Sequence, residues 1–280
     1  MKLYLGVDIG SSITKAVALE GKNIVGFTSI ATTDPIAAAS GAIGKLLAEH
    51  GYKLEDILRI AVTGGGARFL KVRELFGIPL TMVDEVEAIG LGGIALTGKR
   101  RALVVSMGTG TAMVVVEGYG GSIKHIGGTG VGGGTLLGLG RLLLNKHSVE
   151  ALENLAEKGD PRRVDITVAD IAGGPVGIVP GEATASNFGK VSDEARDEDI
   201  AAAIFNLVGQ VVGVLAVFAS KIYGMERDIV AVGKLTSSKL IVKAMKDVAS
   251  IFDAEICFPN NGGYCTALGA AYKLAKELSL

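Results

Sequence analysis

The first thirty residues alternate runs of Val, Ile and Leu with short glycine-bearing breaks. Leu3–Asp8, Thr14–Glu20 and Asn23–Ser29 each read as a β-strand, so the three predict a meander. Helical spacing then takes over. Asp34-Pro35 supplies an N-cap side chain followed by the fixed φ of a first helical position, and Ala37–Glu49 continues as a helix that stops at Gly51. Ile57–Val62 predicts a strand ending at Thr63-Gly64-Gly65-Gly66, Pro79–Val83 predicts another, and Glu85–Leu96 a helix capped by Asp84. Strands alternating with helices in this way indicate an α/β protein.

At Ala102 the pattern starts again. Leu103-Val104-Val105-Ser106-Met107-Gly108-Thr109-Gly110-Thr111, followed by Val114–Glu117, reproduces Leu5-Gly6-Val7-Asp8-Ile9-Gly10-Ser11-Ser12, followed by Val17–Glu20, with a period of about 98 residues. The match fits an internal duplication or two ordinary hairpins. Further on come a Gly-rich turn and helix over Gly127–Leu144, helices from Val149 and Asp199, strands Ile229–Val232 and Glu255–Phe258, and helices Ser237–Ser250 and Thr266–Leu278. A boundary near Lys99-Arg100-Arg101 divides the chain into domains 1–98 and 99–280, with a cleft between them as the expected ligand site.

Composition narrows the function classes. Among 280 residues, 49% are hydrophobic and 20% charged, which excludes a chain too polar to collapse. The 28 Lys and Arg nearly balance 29 Asp and Glu, so no electrostatic reason favours a nucleic-acid or anionic-membrane partner. Cys257 and Cys265 are too few for a disulfide framework and lack zinc-site spacing, which favours a reducing compartment. Asp8 interrupts the first apolar run before it is long enough for a signal peptide, and a cytoplasmic location is expected. Ile200–Ser220 carries no charge and reads either as a membrane span or as a buried helix. Asn206 and Gln210 interrupt it, which favours the buried helix, with Gly209 and Gly213 allowing another helix or a second subunit to approach closely.

The 41 glycines are the compositional anomaly, and they concentrate where chemistry is expected. In Asp8-Ile9-Gly10-Ser11-Ser12-Ile13-Thr14-Lys15, glycine permits a tight turn while hydroxyls and backbone N–H groups converge on one concavity suited to anionic oxygens. Gly108-Thr109-Gly110-Thr111 has the same chemistry, and two such hairpins could grip adjacent phosphates of one nucleotide; either alone could be a plain β-turn. Asp8, at a strand end beside such a loop, suits Mg²⁺ held through water, or is a turn-forming aspartate. Gly128-Thr129-Gly130-Val131-Gly132-Gly133 formally matches G-x-G-x-x-G, but it lies mid-chain without the opening strand–turn–helix unit. It reads better as backbone, including Gly132, Gly133 and Gly134, approaching a ligand at a helix N-terminus. No Walker A sequence, kinase H-R-D or D-F-G set, H-E-x-x-H or G-x-S-x-G is present.

Together these residues resemble the actin/hexokinase/Hsp70 superfamily, which implies duplicated actin-like ATPase domains of ribonuclease H-like α/β fold around an interdomain cleft. Within it, Gly108-Thr109-Gly110-Thr111, Ile126–Leu139 and Pro180-Gly181-Glu182-Ala183-Thr184-Ala185-Ser186-Asn187-Phe188-Gly189 look like the type II pantothenate kinases, and Val83-Asp84-Glu85-Val86-Glu87-Ala88-Ile89 is similar to that family's acidic segment. The resemblance implies ATP and Mg²⁺ as cofactors, Glu85 as the general base, and transfer to pantothenate or to a relative such as pantetheine. It further implies substrate contacts near Ser106, His125, Gly127, Gly128 and Thr129, an adenosine region at Val232-Gly233-Lys234-Leu235, a homodimer, and feedback by coenzyme A species. Bottom-up, Glu85 is also a helix N-terminal carboxylate favoured by the dipole, while Asp84 and Glu87 read as cap and surface residues. Where the family usually has an arginine, this sequence has His125, with Lys124 beside it. A histidine cannot form arginine's bidentate fork with a carboxylate. An ATP-hydrolysing activator of the 2-hydroxyacyl-CoA dehydratase type shares the fold, but neither cysteine lies in the central Gly-rich segment where its iron–sulfur ligands are expected. A regulatory nucleotide-binding protein without turnover is a third class.

Overall fold

The structure, a computed structural model, describes residues 2–277. In chain order the first elements are β1 (Leu3–Ile9), β2 (Ile13–Glu20), β3 (Asn23–Ala31), α1 (Pro35–His50), β4 (Ile57–Thr63), β5 (Glu74–Leu75), β6 (Ile78–Met82) and α2 (Glu85–Thr97). The repeat adds β7 (Ala102–Met107), β8 (Thr111–Glu117), β9 (Ser122–Thr129), α3 (Gly133–Leu144), α4 (Val149–Ala156), β10 (Ile166–Thr167), α5 (Val168–Ala172), β11 (Thr184–Ser186) and α6 (Asp197–Tyr223). The last elements are β12 (Ile229–Val232), α7 (Lys239–Ile251), β13 (Ile256–Cys257) and α8 (Cys265–Glu277). Leu278, expected as the end of the last helix, lies outside the described residues.

Cap chemistry at α1 and α2 is as the sequence reads. Asp34 accepts from the amides of Ile36 and Ala37, Pro35 opens α1, and Gly51 closes it at φ +72°. Asp84 accepts from Val86 and Glu87 at the head of α2.

Sheet topology decides between duplication and two unrelated hairpins. One sheet runs β3-β2-β1-β4-β6-β5 and the other β9-β8-β7-β12-β13, so five strands of each occupy matching places. The match extends to backbone conformation: β4 and β12 each run into a glycine of positive φ, Gly64 at +88° and Gly233 at +101°, followed by a short 3₁₀ turn. One strand of the second sheet, β9, lies where a Gly-rich turn was expected to begin. Gly128 makes it possible, because a Cβ there would strike the Thr111 carbonyl.

Compactness divides the chain differently from a cut at 98/99. The first unit comprises residues up to Val104, Val114–Ile126 and the segment from Pro259 onward; the second comprises Val105–Met113 and Gly127–Phe258. The physical reason is α8, which returns to the first unit. Its Ala267, Leu268 and Ala271 pack on Val17 and Leu19, and its Ala270 and Leu274 on Ala61, Val83 and Ala88. Three glycines permit this approach: a Cβ on Gly6 would strike Ala267, on Gly92 Cys265, and on Gly269 Ala88. On the other side of β1 and β4, α1 covers a second cluster that includes Leu3, Leu5, Ile43, Leu46 and Ile60.

Within the second unit, α6 is long and apolar enough to cross a membrane by length and composition, yet 61% of its most apolar window is buried. Gly209 lies against Ile241 and Ala244, and Gly213 against Met245 and Val248, so the close approach those glycines allow is made by α7 of the same unit. Asn206 and Gln210, which break the apolar run, also have partners. Asn206 donates to Asp165 at 2.7 Å and to Thr184 at 3.0 Å, while Gln210 donates to Thr184 at 3.0 Å and accepts from Asn187 at 3.2 Å. They fasten the Pro180–Gly189 segment to the helix. The Phe188 amide donates to the fully buried Asp165, whose pKa burial pushes up while these hydrogen bonds pull it back.

Candidate active site

In the first unit the β-register assembles the charged groups. Asp8 on β1 stands opposite Lys15 on β2 and opposite Thr63 on β4. Register partners on adjacent strands project from the same face, so Lys15, Asp8 and Thr63 form one row across three strands. The next pair projects the other way: Ile9 is fully buried, and so is Thr14, whose hydroxyl is bonded to Thr32 Oγ1 at 2.8 Å. Thr14, expected to contact the nucleotide, is thereby committed to the interior on the face opposite Lys15. The turn itself is Gly10-Ser11-Ser12. Gly10 N–H donates to the Ile13 carbonyl at 3.2 Å, leaving the Ser11 and Ser12 side chains exposed.

Asp8 is held in a confined place. Its Oδ1 lies where a Cβ on Gly64 would be, so only glycine fits after Thr63. Burial pushes the Asp8 pKa up to about 6, Lys15 pulls it down, and the charge of Glu85 pushes it up. Glu85 is therefore close enough to act on Asp8 electrostatically. It stands at the first position of α2, exposed to solvent, while neighbouring Glu87 is committed to an ion pair with Lys273 at 2.6 Å. The first unit thus presents a cation, two carboxylates and two exposed serines around one strand-to-turn edge.

The second hairpin works with backbone. Gly108 N–H donates to the Gly110 carbonyl at 2.8 Å, and the exposed Thr109 forms the tip. Thr111 donates its hydroxyl to the Val131 carbonyl at 2.8 Å, tying the hairpin to the glycine run. The head of α3 then docks onto the turn: Gly133 N–H donates to the Gly108 carbonyl at 2.9 Å and Gly134 N–H to the Thr109 carbonyl at 2.8 Å. The Gly132 amide donates to Thr135 Oγ1 at 3.2 Å, and a Cβ on Gly132 would lie 2.8 Å from the Gly110 backbone. This corrects the expectation that Gly132, Gly133 and Gly134 offer their amides to a ligand, because the hairpin and Thr135 take them up.

Gly233 has a comparable explanation, since a Cβ there would strike the Met107 backbone. Ser106 is half-buried on β7, two residues before the turn. Gly127 adopts φ +137°, and the Thr129 hydroxyl accepts from Val131 N–H at 3.2 Å, closing the turn before α3. His125 and Lys124 are both exposed on β9. As successive strand residues they point to opposite faces, so Lys124 cannot stand in for a charge missing at His125 on the same face.

Sequence reasoning passed over Thr63 and Gly64, although the signal was present. A threonine and glycines close the Ile57–Val62 strand just as Gly233 closes its counterpart, and the strand in question neighbours the one bearing Asp8.

The Fumble family model matches residues 101–273. A type II pantothenate kinase from Bacillus cereus is 29% identical over 288 residues, covering 100% of both chains. Among solved structures, (R)-2-hydroxyglutaryl-CoA dehydratase component A from Acidaminococcus fermentans superposes with a TM-score of 0.74 at 21% identity, covering 100% of each chain. ROK hexokinase from Thermus thermophilus superposes with a TM-score of 0.59 at 15% identity, covering 99% of each. These structural likenesses establish the fold, that of the actin/hexokinase type. With the family pattern running over more than half of its length and an end-to-end match to a type II pantothenate kinase, the chain belongs to the Fumble family.

Proposed function

We propose that this chain phosphorylates pantothenate on its primary hydroxyl with ATP and Mg²⁺, giving 4'-phosphopantothenate, the first step of coenzyme A biosynthesis, in the cytoplasm. The observation that carries this reading is the 29% identity to a type II pantothenate kinase over the whole of both chains, and the charge of Glu85 acting on Asp8 in the Lys15–Asp8 row supports it. In this reading the exposed Glu85 carboxylate accepts the hydroxyl proton as it leaves. Lys15 offers its charge to phosphate oxygens. A half-buried carboxylate at a strand end suits Mg²⁺, and Asp8 is the residue that would hold it, through water. When bound, Mg²⁺ neutralises charge on the nucleotide phosphates.

His125 favours a second acceptor. With a histidine where the family resemblance implies an arginine, a neutral molecule such as pantetheine is accommodated as well as a carboxylate. An activator bearing an iron–sulfur cluster is disfavoured by the places of the two thiols, neither of which lies in the central Gly-rich segment. Cys265 is fully buried, its Sγ donates to the Ile89 carbonyl, and burial pushes its pKa up to about 12, which suits a packed thiol rather than a cluster ligand. A homodimer and feedback by coenzyme A species belong to the same reading, and light scattering without detergent tests the dimer.

The deciding experiment is an ATP-consumption screen over pantothenate, pantetheine, simple sugars and acetate. Turnover with pantothenate or pantetheine alone supports the proposal. Turnover with none, or with sugars or acetate, sinks it.

A further inference from the structure

Thr63 has a property that none of the other buried side chains described shares. Its Oγ1 is sealed from solvent and has no hydrogen-bond partner among the described residues. Buried hydroxyls are ordinarily bonded, and an orphan one calls for an explanation. Threonine suits the end of a strand, but valine would fill the same volume there without an unpaired polar atom.

The position of the orphan is informative. Thr63 is the register partner of Asp8, and Lys15 lies on the far side of Asp8 in the same row. Asp8 Oδ1 leans toward this end of β4, since it occupies the space that a side chain on Gly64 would need. A carboxylate that binds a cation is commonly fixed from behind by a second hydrogen bond, which sets its plane and keeps its other oxygen outward. A hydroxyl one strand away can supply that bond by turning its side chain, with no need for solvent access.

We propose that Thr63 is a positioning residue for the cation held at Asp8: its hydroxyl donates to Asp8 Oδ1 when the carboxylate is engaged, leaving Oδ2 for the hydrated divalent ion. This inference rests on the reading of Asp8 as the Mg²⁺-holding residue of a kinase. It extends that reading by giving a role to a residue outside the phosphate turn.

The test uses the whole protein with ADP and Mn²⁺ as the probe ion, whose binding is read by electron paramagnetic resonance, together with melting of the ion-free protein. Thr63→Val should leave the melting temperature unchanged or raised, because no bond is lost in the ion-free state. It should weaken Mn²⁺ retention about 10- to 100-fold, the usual effect of removing such a supporting partner. Thr63→Ser, which keeps the hydroxyl, should hold Mn²⁺ as wild type does. Wild-type Mn²⁺ affinity in Thr63→Val would overturn the inference while leaving the kinase reading intact. A Thr63→Val protein that melts early or does not fold would mark the hydroxyl as structural and also overturn it. A wild type that fails to retain Mn²⁺ with ADP would overturn both.

Discussion

Where β1 carries Asp8, β7 carries Ser106 about 98 positions later, and the surroundings of the two differ as much as the residues do. The first hairpin faces a lysine and a nearby glutamate, and its turn is left open with two exposed serines. The second has no carboxylate at the matching place, and its turn is braced by amides from the head of α3. Two copies of one strand–turn–strand unit therefore differ in what they present. One gathers charge and the other is backbone braced by the head of α3, so mutations of charge and mutations of volume should have opposite sensitivities in the two.

The largest effect is expected at the proposed base. Glu85→Gln should lower kcat by about 10²–10⁴ while leaving ATP binding nearly intact. A variant retaining most of its kcat would remove Glu85 from the chemistry.

The matched pair Asp8→Asn and Ser106→Ala tests this difference directly. Asp8→Asn should reduce kcat/KM for Mg·ATP by about 10²–10³, in line with losing one electrostatic group from a catalytic site. Ser106→Ala should stay within about fivefold of wild type, since it removes at most one ordinary hydrogen bond. Equal losses would mean that both hairpins carry chemistry.

Volume should reverse the ranking. Gly110→Val places a side chain about 3.0 Å from the Thr129 carbonyl, and it should raise the KM for ATP as well as lower the melting temperature. Ser11→Val, at the exposed tip of the first turn, should leave the melting temperature near wild type. Unchanged ATP affinity in Gly110→Val would reduce the second hairpin to a plain turn.

A pH effect on stability separates the two as well. In protein free of ions and nucleotide, Asp8 has a pKa of about 6 against an ordinary 3.8, so the folded state holds its proton more tightly than the unfolded chain does. The contribution of this group to stability is then greatest below about pH 4 and declines as pH rises through 4 to 6. Melting curves of Asp8→Asn should show less decline over that interval, and those of Ser106→Ala the same decline as wild type.

The smallest expected effect lies at β9. His125→Arg should shift the kcat/KM ratio toward pantothenate over pantetheine by about tenfold or less, through a bidentate pair with the carboxylate. No shift between pH 6 and 8 would show that His125 does not contact the acceptor.

Much of this arrangement was legible from local signals. Asp34-Pro35 and Asp84 mark helix starts by chemistry that acts within four residues, and the repeat of Asp8–Ser12 at Ser106–Gly110 marks the paired hairpins. What escaped depends on contacts distant in sequence. The glycines Gly132, Gly133 and Gly134 suggest a ligand cradle when read alone, because nothing local reveals that the Gly108 and Thr109 carbonyls and the Thr135 hydroxyl take their amides. The Gly209 and Gly213 pair allows another helix or a second subunit when read alone, and only the contact with α7 selects the helix. Thr14 and Lys15 look equally available in the sequence, and only the strand alternation sends one inward and the other to the charged row.

The return of α8 has a consequence for how the chain is made. A ribosome releases β1, β2 and β4 early, yet the surface formed by Val17, Leu19 and Ala61 is covered only when residues 265–277 emerge. The order of completion is therefore the reverse of the order of synthesis: the second unit has all its residues on hand while the first still shows an apolar face. An apolar face left open in this way is prone to association with other chains until α8 docks. Contacts joining opposite ends of the sequence also form slowly, which makes docking of this helix a natural late step in folding.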